Sequence, residues 1–235
     1  MEITNKEESW KGFNLIANTY DQINRLTSLG IDGSWRKKLA CYLPHKEHLD
    51  ILDLATGTAE VAIELSNIYK HRAKITGVDP AAHMVEIGQN KIKEQGLDKQ
   101  ISLQVGNAMN LDFDDNSFDA VTIAFGIRNV PNIDTALKEI FRVLRPGGRV
   151  VILEFSLPKN IFVKSGYLLY FRHILPTIGR IISGHKNAYS YLNKSVEDFP
   201  YGDAFLTHLG KAGLIRVKDT PLSLGIASIY TGDKI

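Results

Sequence analysis

The sequence has one cysteine, little net charge and no long apolar run. Because Cys41 is the only cysteine, no disulfide can form within the chain, and no basic stretch followed by an apolar segment opens it, so we expect a reducing, cytosolic compartment. The formal charge of +2 lacks the basic excess typical of nucleic-acid-binding proteins. We therefore expect no nucleic-acid partner.

The most apolar stretch, residues 168–182, is interrupted by Arg172, His173 and Arg180. It falls short of the ~20 residues that a membrane-spanning helix requires, so membrane contact, if any, is expected to be peripheral. The His, Cys and carboxylate side chains do not show the spacing of metal ligands, and no metal is expected.

The pattern of the chain predicts one α/β domain. Residues 1–48 are expected to form a helical cover, with a break at 32–34 before a helix at 35–42, and residues 49–157 a cofactor-binding core. In that core, short apolar runs alternate with amphipathic segments, which is typical of a doubly wound, mostly parallel sheet. Residues 158–200 are predicted to form an inserted cap, and residues 201–235 a closing helix and an antiparallel strand pair that completes seven strands. The core strands are predicted at 49–54, 73–78, 101–105, 118–124 and 149–153, and the helices between them at 59–68, 82–95 and 133–143.

A loop of small residues, 55–60, joins the first strand to the first core helix. Small residues allow a ligand to approach the backbone, and the helix start offers free N–H groups to it. Asp79 ends the second strand 22 positions after Gly57, near the ~20 expected for a carboxylate that accepts hydrogen bonds from a ribose. Gly57 and Asp79 are therefore predicted cofactor residues, although Asp79 could instead, or in addition, order the start of the next helix.

Two other polar positions belong to this prediction. Asp53 ends the first strand and either contacts the cofactor or orders the loop. After the third strand, Asn107 could bond the edge of an adenine while Ala108 supplies a backbone N–H; the alternative is a simple turn.

The series 52–58, with Val78-Asp79, Asn107-Ala108 and the stretches 113–119 and 144–148, resembles the class I S-adenosylmethionine-dependent methyltransferases. Further stretches resemble more narrowly the menaquinone and ubiquinone C-methyltransferases: Tyr20-Asp21 with Asn24, and residues 29–31, 125–130, 153–156, 189–195 and 225–232. This sequence has Ala59-Glu60 where that family commonly has Gly-Asp, and Ala124 where serine is common.

The resemblance implies an enzyme that methylates a ring carbon of a prenylated quinol, demethylmenaquinol, with S-adenosylmethionine as methyl donor. It implies cofactor contacts from Thr58, Asp79, Asn107 and Ala108. It also implies that the acceptor lies beside Arg128 and Asn129.

The chemistry suggests further roles on the acceptor side. A ring carbon becomes nucleophilic when a neighbouring hydroxyl ionises, so Arg128 is predicted to stabilise the phenolate and His173, or a water, to take the proton. Arg128 could instead form a salt bridge with Glu154 or Asp53, and His173 could be an ordinary core or surface histidine. Tyr20 is predicted to roof the ligands, with plain packing as the alternative.

Other functions remain open at this point. They are methylation of a benzoquinol or another small hydrophobic acceptor, a non-catalytic S-adenosylmethionine-binding scaffold, and an NAD-dependent oxidoreductase. The aromatic and basic residues of 161–193 would suit a membrane surface, with core packing as the alternative. A homo-oligomer is left open.

Overall fold

A computed structural model describes residues 6, 9–28, 30–170 and 195–235. Its centre is a seven-stranded sheet with the order β3-β2-β1-β4-β5-β7-β6. The first five strands are parallel, and β7 runs antiparallel to both of its neighbours, β5 and β6. The predicted fold class is confirmed. The strands are β1 (Leu49–Leu54), β2 (Ala73–Asp79), β3 (Ile101–Val105), β4 (Phe118–Ala124), β5 (Leu144–Phe155), β6 (Ile215–Leu222) and β7 (Ala227–Asp233).

Helices of the described residues flank the sheet. The segment α5 has the predicted bounds because the side chain of Asn132 accepts a hydrogen bond from the Thr135 N–H at 3.0 Å at its start, and β5 begins directly after its end. The helices are α1 (Ser9–Thr27), α2 (Ile31–Leu39), α3 (Glu60–Tyr69), α4 (Ala82–Glu94), α5 (Ile133–Val143), α6 (Ile161–Leu169) and α7 (Asp203–Lys211). None in the described part of the chain is long and apolar enough to cross a membrane.

The predicted break at 32–34 is wrong, because α2 runs through those residues. The turn lies two residues earlier, at Gly30, whose φ of +75° favours glycine. Asp32 instead stabilises the helix start, where its carboxylate accepts hydrogen bonds from Ser28 and Arg36.

Both faces of the sheet are buried. Along β1, Leu49 and Ile51 pack in a core that includes residues of α2 and α3, whereas Leu52 and Leu54 pack in a core that includes residues of α5 and α7. Burial on both faces is typical of parallel sheets and fixes the strand positions tightly. The carboxyl ends of β1, β2, β3 and β4 are thereby held along one edge, where ligands bind in open α/β sheets.

The fifth strand is longer than predicted. Leu144 pairs with Phe118 and the next pair is Arg149 with Ala120, so residues 145–148 form an irregularity inside the strand. The helix α5 ends at Val143, before the Pro-Gly-Gly sequence, which interrupts β5 instead of ending the helix.

Candidate active site

The loop after β1 adopts a tight, unusual backbone. Ala55, Gly57 and Ala59 have φ values of +52°, +55° and +67°. Non-glycine residues rarely adopt this region because Cβ crowds the following carbonyl. The backbone at Ala59 gives a physical reason for glycine at the corresponding position of the resembled family.

Asp79, at the end of β2, accepts hydrogen bonds from this loop and from the segment that leads into α4. One carboxylate oxygen accepts the Gly57 N–H at 2.9 Å, and the other accepts the Ala81 N–H at 2.8 Å. Burial raises the pKa of Asp79 to about 6, although both backbone hydrogen bonds oppose that shift. Asp79 lines a cavity and also orders the approach to α4, so the predicted cofactor position and its structural alternative coincide.

Asp53 is arranged as in the second of its two interpretations, in which it orders the loop after β1. Its two oxygens accept hydrogen bonds from the hydroxyls of Thr56 and Thr122, each at 2.7 Å, and the side chain is fully buried. Burial raises the pKa of Asp53 to about 6. Asp53 is not among the residues that line the cavity.

Thr58 is joined to the first helix. Its hydroxyl donates a 2.7 Å hydrogen bond to Asp21 in α1, and Lys91 in α4 forms ion pairs with both Asp21 and Glu60. The Thr58 side chain is buried and does not line the cavity. Any contact between Thr58 and a cofactor remains a prediction.

The loop after β3 also reaches the cavity. Asn107 and Ala108 line it, as does Met109. The side-chain oxygen of Asn107, Oδ1, accepts the Met109 N–H at 2.9 Å, as in the simple-turn alternative, so this oxygen already has a partner. Hydrogen bonding to an adenine would then use the Asn107 amide N–H₂ group.

The first helix, α1, forms part of the cavity wall. Trp10, Phe13 and Tyr20 line the cavity, and the rings of Phe13 and Tyr20 meet edge to face at 5.9 Å. Asn14 accepts the His83 N–H at 3.0 Å at the start of α4, which fixes this helix over the end of β2.

The turn after β4 closes the other side. Phe125 has a φ of +58°, and a Cβ on the next residue, Gly126, would overlap the Cβ of Ala55. Asn129 lines the cavity, and its Oδ1 is buried without a hydrogen-bond partner among the described residues. A buried acceptor without a partner is uncommon, which makes Asn129 a candidate for contact with a ligand.

These elements enclose a cavity of 390 Å³ with a mostly apolar lining. Its size falls in the range of about 300–1,000 Å³ that is usual for small-molecule sites. A buried carboxylate, an amide oxygen with no partner in the described part of the chain and close-approach glycines suit a nucleoside-bearing cofactor together with an apolar acceptor.

Comparison with known proteins identifies the family. The profile of the ubiE/COQ5 methyltransferase family matches residues 1–234. The chain belongs to the ubiE/COQ5 methyltransferase family. It is 44% identical to the ubiquinone/menaquinone biosynthesis C-methyltransferase UbiE of Geotalea daltonii over 94% of both chains. It is 38% identical to the demethylmenaquinone methyltransferase of Bacteroides fragilis, over 94% of this chain and 90% of that one.

A solved structure shares the fold over nearly the whole chain. An S-adenosylmethionine-dependent methyltransferase of Thermotoga maritima superposes with a TM-score of 0.69 and 20% identity, over 97% of this chain and 100% of that one. The predicted family, the enzyme class and S-adenosylmethionine as methyl donor are confirmed, and an NAD-dependent oxidoreductase is no longer a candidate.

Arg128 is arranged as its salt-bridge alternative describes. The guanidinium is buried and pairs with Glu154 at 2.7 Å, and Arg128 does not line the cavity. His173 and residues 189–193 lie outside the described residues, as does most of the predicted cap. The expected role of His173 stays a prediction.

Several cavity residues were missed from the sequence. Lys6, Trp10 and Phe13 come from the start of the chain, and Met84 comes from α4. The Tyr20-Asp21 stretch of the family was the one signal that pointed toward α1. Spacing alone could not show which turn of this helix faces the sheet, because its contacts are with segments distant in sequence.

Proposed function

We propose that this family member transfers a methyl group from S-adenosylmethionine to a ring carbon of demethylmenaquinol, giving menaquinol. The observation that carries the proposal is the shared cavity, which both Asp79 and Asn129 line, with no hydrogen-bond partner for Asn129 Oδ1 among the described residues. The names of the relatives in Bacteroides fragilis and Bacillus cereus, both demethylmenaquinone methyltransferases, support the choice of acceptor.

The cofactor end of the cavity is assigned to the loops after β1, β2 and β3. Asp79 accepts hydrogen bonds from ribose hydroxyls, and Asn107 with Ala108 binds the adenine. Gly57 allows a ligand to approach the backbone closely, because glycine has no Cβ. Its φ of +55° also favours glycine, although a Cβ at this position would meet no other atom within 4 Å. Asp53 and Thr58 act by ordering this loop, through Thr56 and Asp21 respectively. When bound, S-adenosylmethionine supplies an electrophilic methyl group on a sulfonium.

The acceptor end is assigned to Asn129 with Tyr20 and Lys6. Oδ1 of Asn129 accepts a ring hydroxyl and so fixes the ring against the apolar lining, and Tyr20 covers it. A phenol has an unperturbed pKa near ~10, so the ionised form needs a stabilising charge. Lys6 is the basic side chain among the described lining residues, and Arg128 does not line the cavity. His173, or a water, remains the proposed proton acceptor.

A mass-spectrometric assay tests the proposal. Purified protein with S-adenosylmethionine is given chemically reduced demethylmenaquinone, and the oxidised quinone in parallel. A product heavier by one methylene in the reduced sample alone supports the reaction and the need for an ionisable hydroxyl. If neither sample gains mass while the cofactor binds, the proposal fails in favour of another acceptor or a scaffold.

A benzoquinol of the ubiquinone pathway is the second candidate acceptor. It is favoured by the relative in Geotalea daltonii, whose name covers both ubiquinone and menaquinone biosynthesis. Competition between the reduced naphthoquinone and a reduced benzoquinone in one reaction gives the ratio of their kcat/KM values, which ranks the two directly.

We also infer peripheral contact with a membrane surface at the cytosolic face. The support is the exposure of Ile161, Phe162 and Leu169 on α6, with Lys159 and Lys164 nearby in sequence. Flotation with liposomes that contain anionic lipid should carry the protein upward, and Phe162→Ser should reduce this. Protein that stays wholly in solution with and without anionic lipid would remove the inference.

A further inference from the structure

Glu154 lies at the end of β5 and holds Arg128 at two points. Its Oε1 accepts the Arg128 Nη1–H at 2.7 Å, and its Oε2 accepts the backbone N–H of the same residue at 3.3 Å. Both side chains are almost completely buried. Because a buried charge is costly unless it is paired and hydrogen-bonded, the two residues must be treated as one unit.

The pair is connected to the turn that follows β4. Arg128 also donates from Nη1 to the carbonyl oxygen of Phe125, the residue with a φ of +58°. Its guanidinium carbon lies 5.3 Å from the centre of the Phe155 ring, which packs in turn on Phe125 at 4.6 Å. An unfavourable backbone conformation persists only where surrounding contacts enforce it, and these contacts do so.

The same pair reaches the end of the predicted cap. Arg128 Nε donates to the hydroxyl of Ser195 at 3.3 Å. The guanidinium therefore joins three parts of the chain: the end of β5, the turn after β4 and the described residues that resume at 195.

The turn ends in Asn129, which directly follows Arg128. Asn129 lines the cavity, and its Oδ1 is buried with no hydrogen-bond partner among the described residues. The backbone of Asn129 is tied to the same turn, because its N–H donates to the carbonyl oxygen of Gly126 at 3.0 Å. The position of Oδ1 thus depends on a turn whose shape is fixed by Arg128.

We propose that Glu154 is a positioning residue for methyl transfer: through Arg128 it fixes the 125–129 turn so that Asn129 Oδ1 is held for the hydroxyl of the acceptor ring. The inference rests on the proposed function, since it takes the quinol as the acceptor. Arg128 then acts as an internal brace, and its charge is balanced by Glu154 before any substrate binds.

The geometry explains why a small displacement matters here. Methyl transfer requires the ring carbon in line with the bond that breaks, and a misplacement of about 1 Å can cost about 100-fold in rate. Cofactor binding relies on Asp79 and the loops after β1 and β3, which the pair does not contact. Loss of Glu154 should therefore affect turnover much more than cofactor affinity.

The test is a double-mutant cycle with Glu154→Gln and Asn129→Ala. For each protein, kcat and KM are measured with reduced demethylmenaquinone, the Kd for S-adenosylmethionine by calorimetry, and Tm. We expect Glu154→Gln to lower kcat by about 100-fold, with the cofactor Kd changed less than about 2-fold. The double variant should be little worse than the worse single variant, because both changes remove the same contact.

A matched control removes a different Arg–Glu pair. Glu139 and Arg142 pair at 2.8 Å on α5, and neither lines the cavity. Glu139→Gln should leave kcat near the wild-type value whatever it does to Tm. If Glu154→Gln behaves like this control, or if its effect multiplies fully with that of Asn129→Ala, the proposal is overturned.

A second variant covers the case in which Glu154→Gln does not fold. Replacement of both charges, Arg128→Met with Glu154→Gln, leaves no unpaired buried charge. This protein should bind the cofactor yet lose turnover, and wild-type kcat in it would overturn the proposal. Failure of the wild-type protein to methylate the quinol is a separate result, because it rejects the proposed function itself.

Discussion

The hydroxyl of Thr58 donates a 2.7 Å hydrogen bond to the carboxylate of Asp21, so the loop after β1 is attached to the first helix. Asp21 also pairs with Lys91, which pairs with Glu60 at the start of α3. The helix that carries cavity residues Trp10, Phe13 and Tyr20 is thereby tied to the cofactor loop.

We expect Asp21→Ala to weaken S-adenosylmethionine binding by about tenfold, because loss of a charge-assisted hydrogen bond costs about 1.5–3 kcal/mol and part of this is recovered by water. Calorimetric titration measures the Kd. Asp98→Asn, a change at an exposed acidic residue, serves as the matched control. Equal affinities in the two variants would show that the attachment has no role in binding.

The raised pKa of Asp79 predicts pH-dependent cofactor binding. Its folded-state pKa of about 6 lies above the ordinary value of 3.8, so between these two pH values the folded protein binds more protons than the unfolded chain. The contribution of Asp79 to the stability of the fold therefore falls as pH rises through that window. A carboxylate accepts ribose hydroxyls best when ionised, so cofactor affinity should fall below about pH 6 and binding there should release a proton.

Calorimetry at about pH 5 and about pH 8, in buffers of different ionisation enthalpy, counts the protons released. In Asp79→Asn the affinity should be low throughout, with no proton release from this group. Asp53 has a pKa of about 6 as well, so proton release that persists in Asp79→Asn would assign the effect to Asp53.

Lys6 is expected to favour the ionised acceptor. Lys6→Met should lower kcat by about tenfold near neutral pH and shift the rate profile to higher pH, because the phenolate loses a nearby positive charge. Lys6→Arg keeps the charge and should retain most of the activity. A pH–rate profile for the three proteins checks this, and identical profiles for wild type and Lys6→Met would contradict it.

Gly126 permits the close approach of two loops. A Cβ on this residue would overlap the Cβ of Ala55, so Gly126→Ala should destabilise the protein by about 1–3 kcal/mol, the usual cost of overpacking, and reduce cofactor binding. Urea unfolding measures the first effect. Gly210→Ala in α7, where a Cβ meets nothing within 4 Å, should instead be neutral or slightly stabilising. Equal stabilities would show that the two loops can move apart.

Local pattern was sufficient for most of the core. Strands β1, β3 and β4 have the bounds predicted from their apolar runs, and α5 has the bounds predicted from its amphipathic pattern. Near α2, local pattern failed. Asp32, Gly33 and Ser34 are turn-forming residue types, yet the turn uses Gly30, and Asp32 is held in the helix by Ser28 and Arg36.

The sequence by itself determined the order of the elements and the family, and it predicted which loops bind the cofactor, because these depend on residues near one another in the chain. Tertiary structure alone decided which polar groups are available to a ligand. Arg128 and Asn129 are neighbours in sequence, but Glu154, distant in the chain, pairs with the first, whereas the second lines the cavity and its buried Oδ1 has no hydrogen-bond partner among the described residues. A buried charge must find its counter-charge wherever the fold brings one close, and no local spacing contains that information.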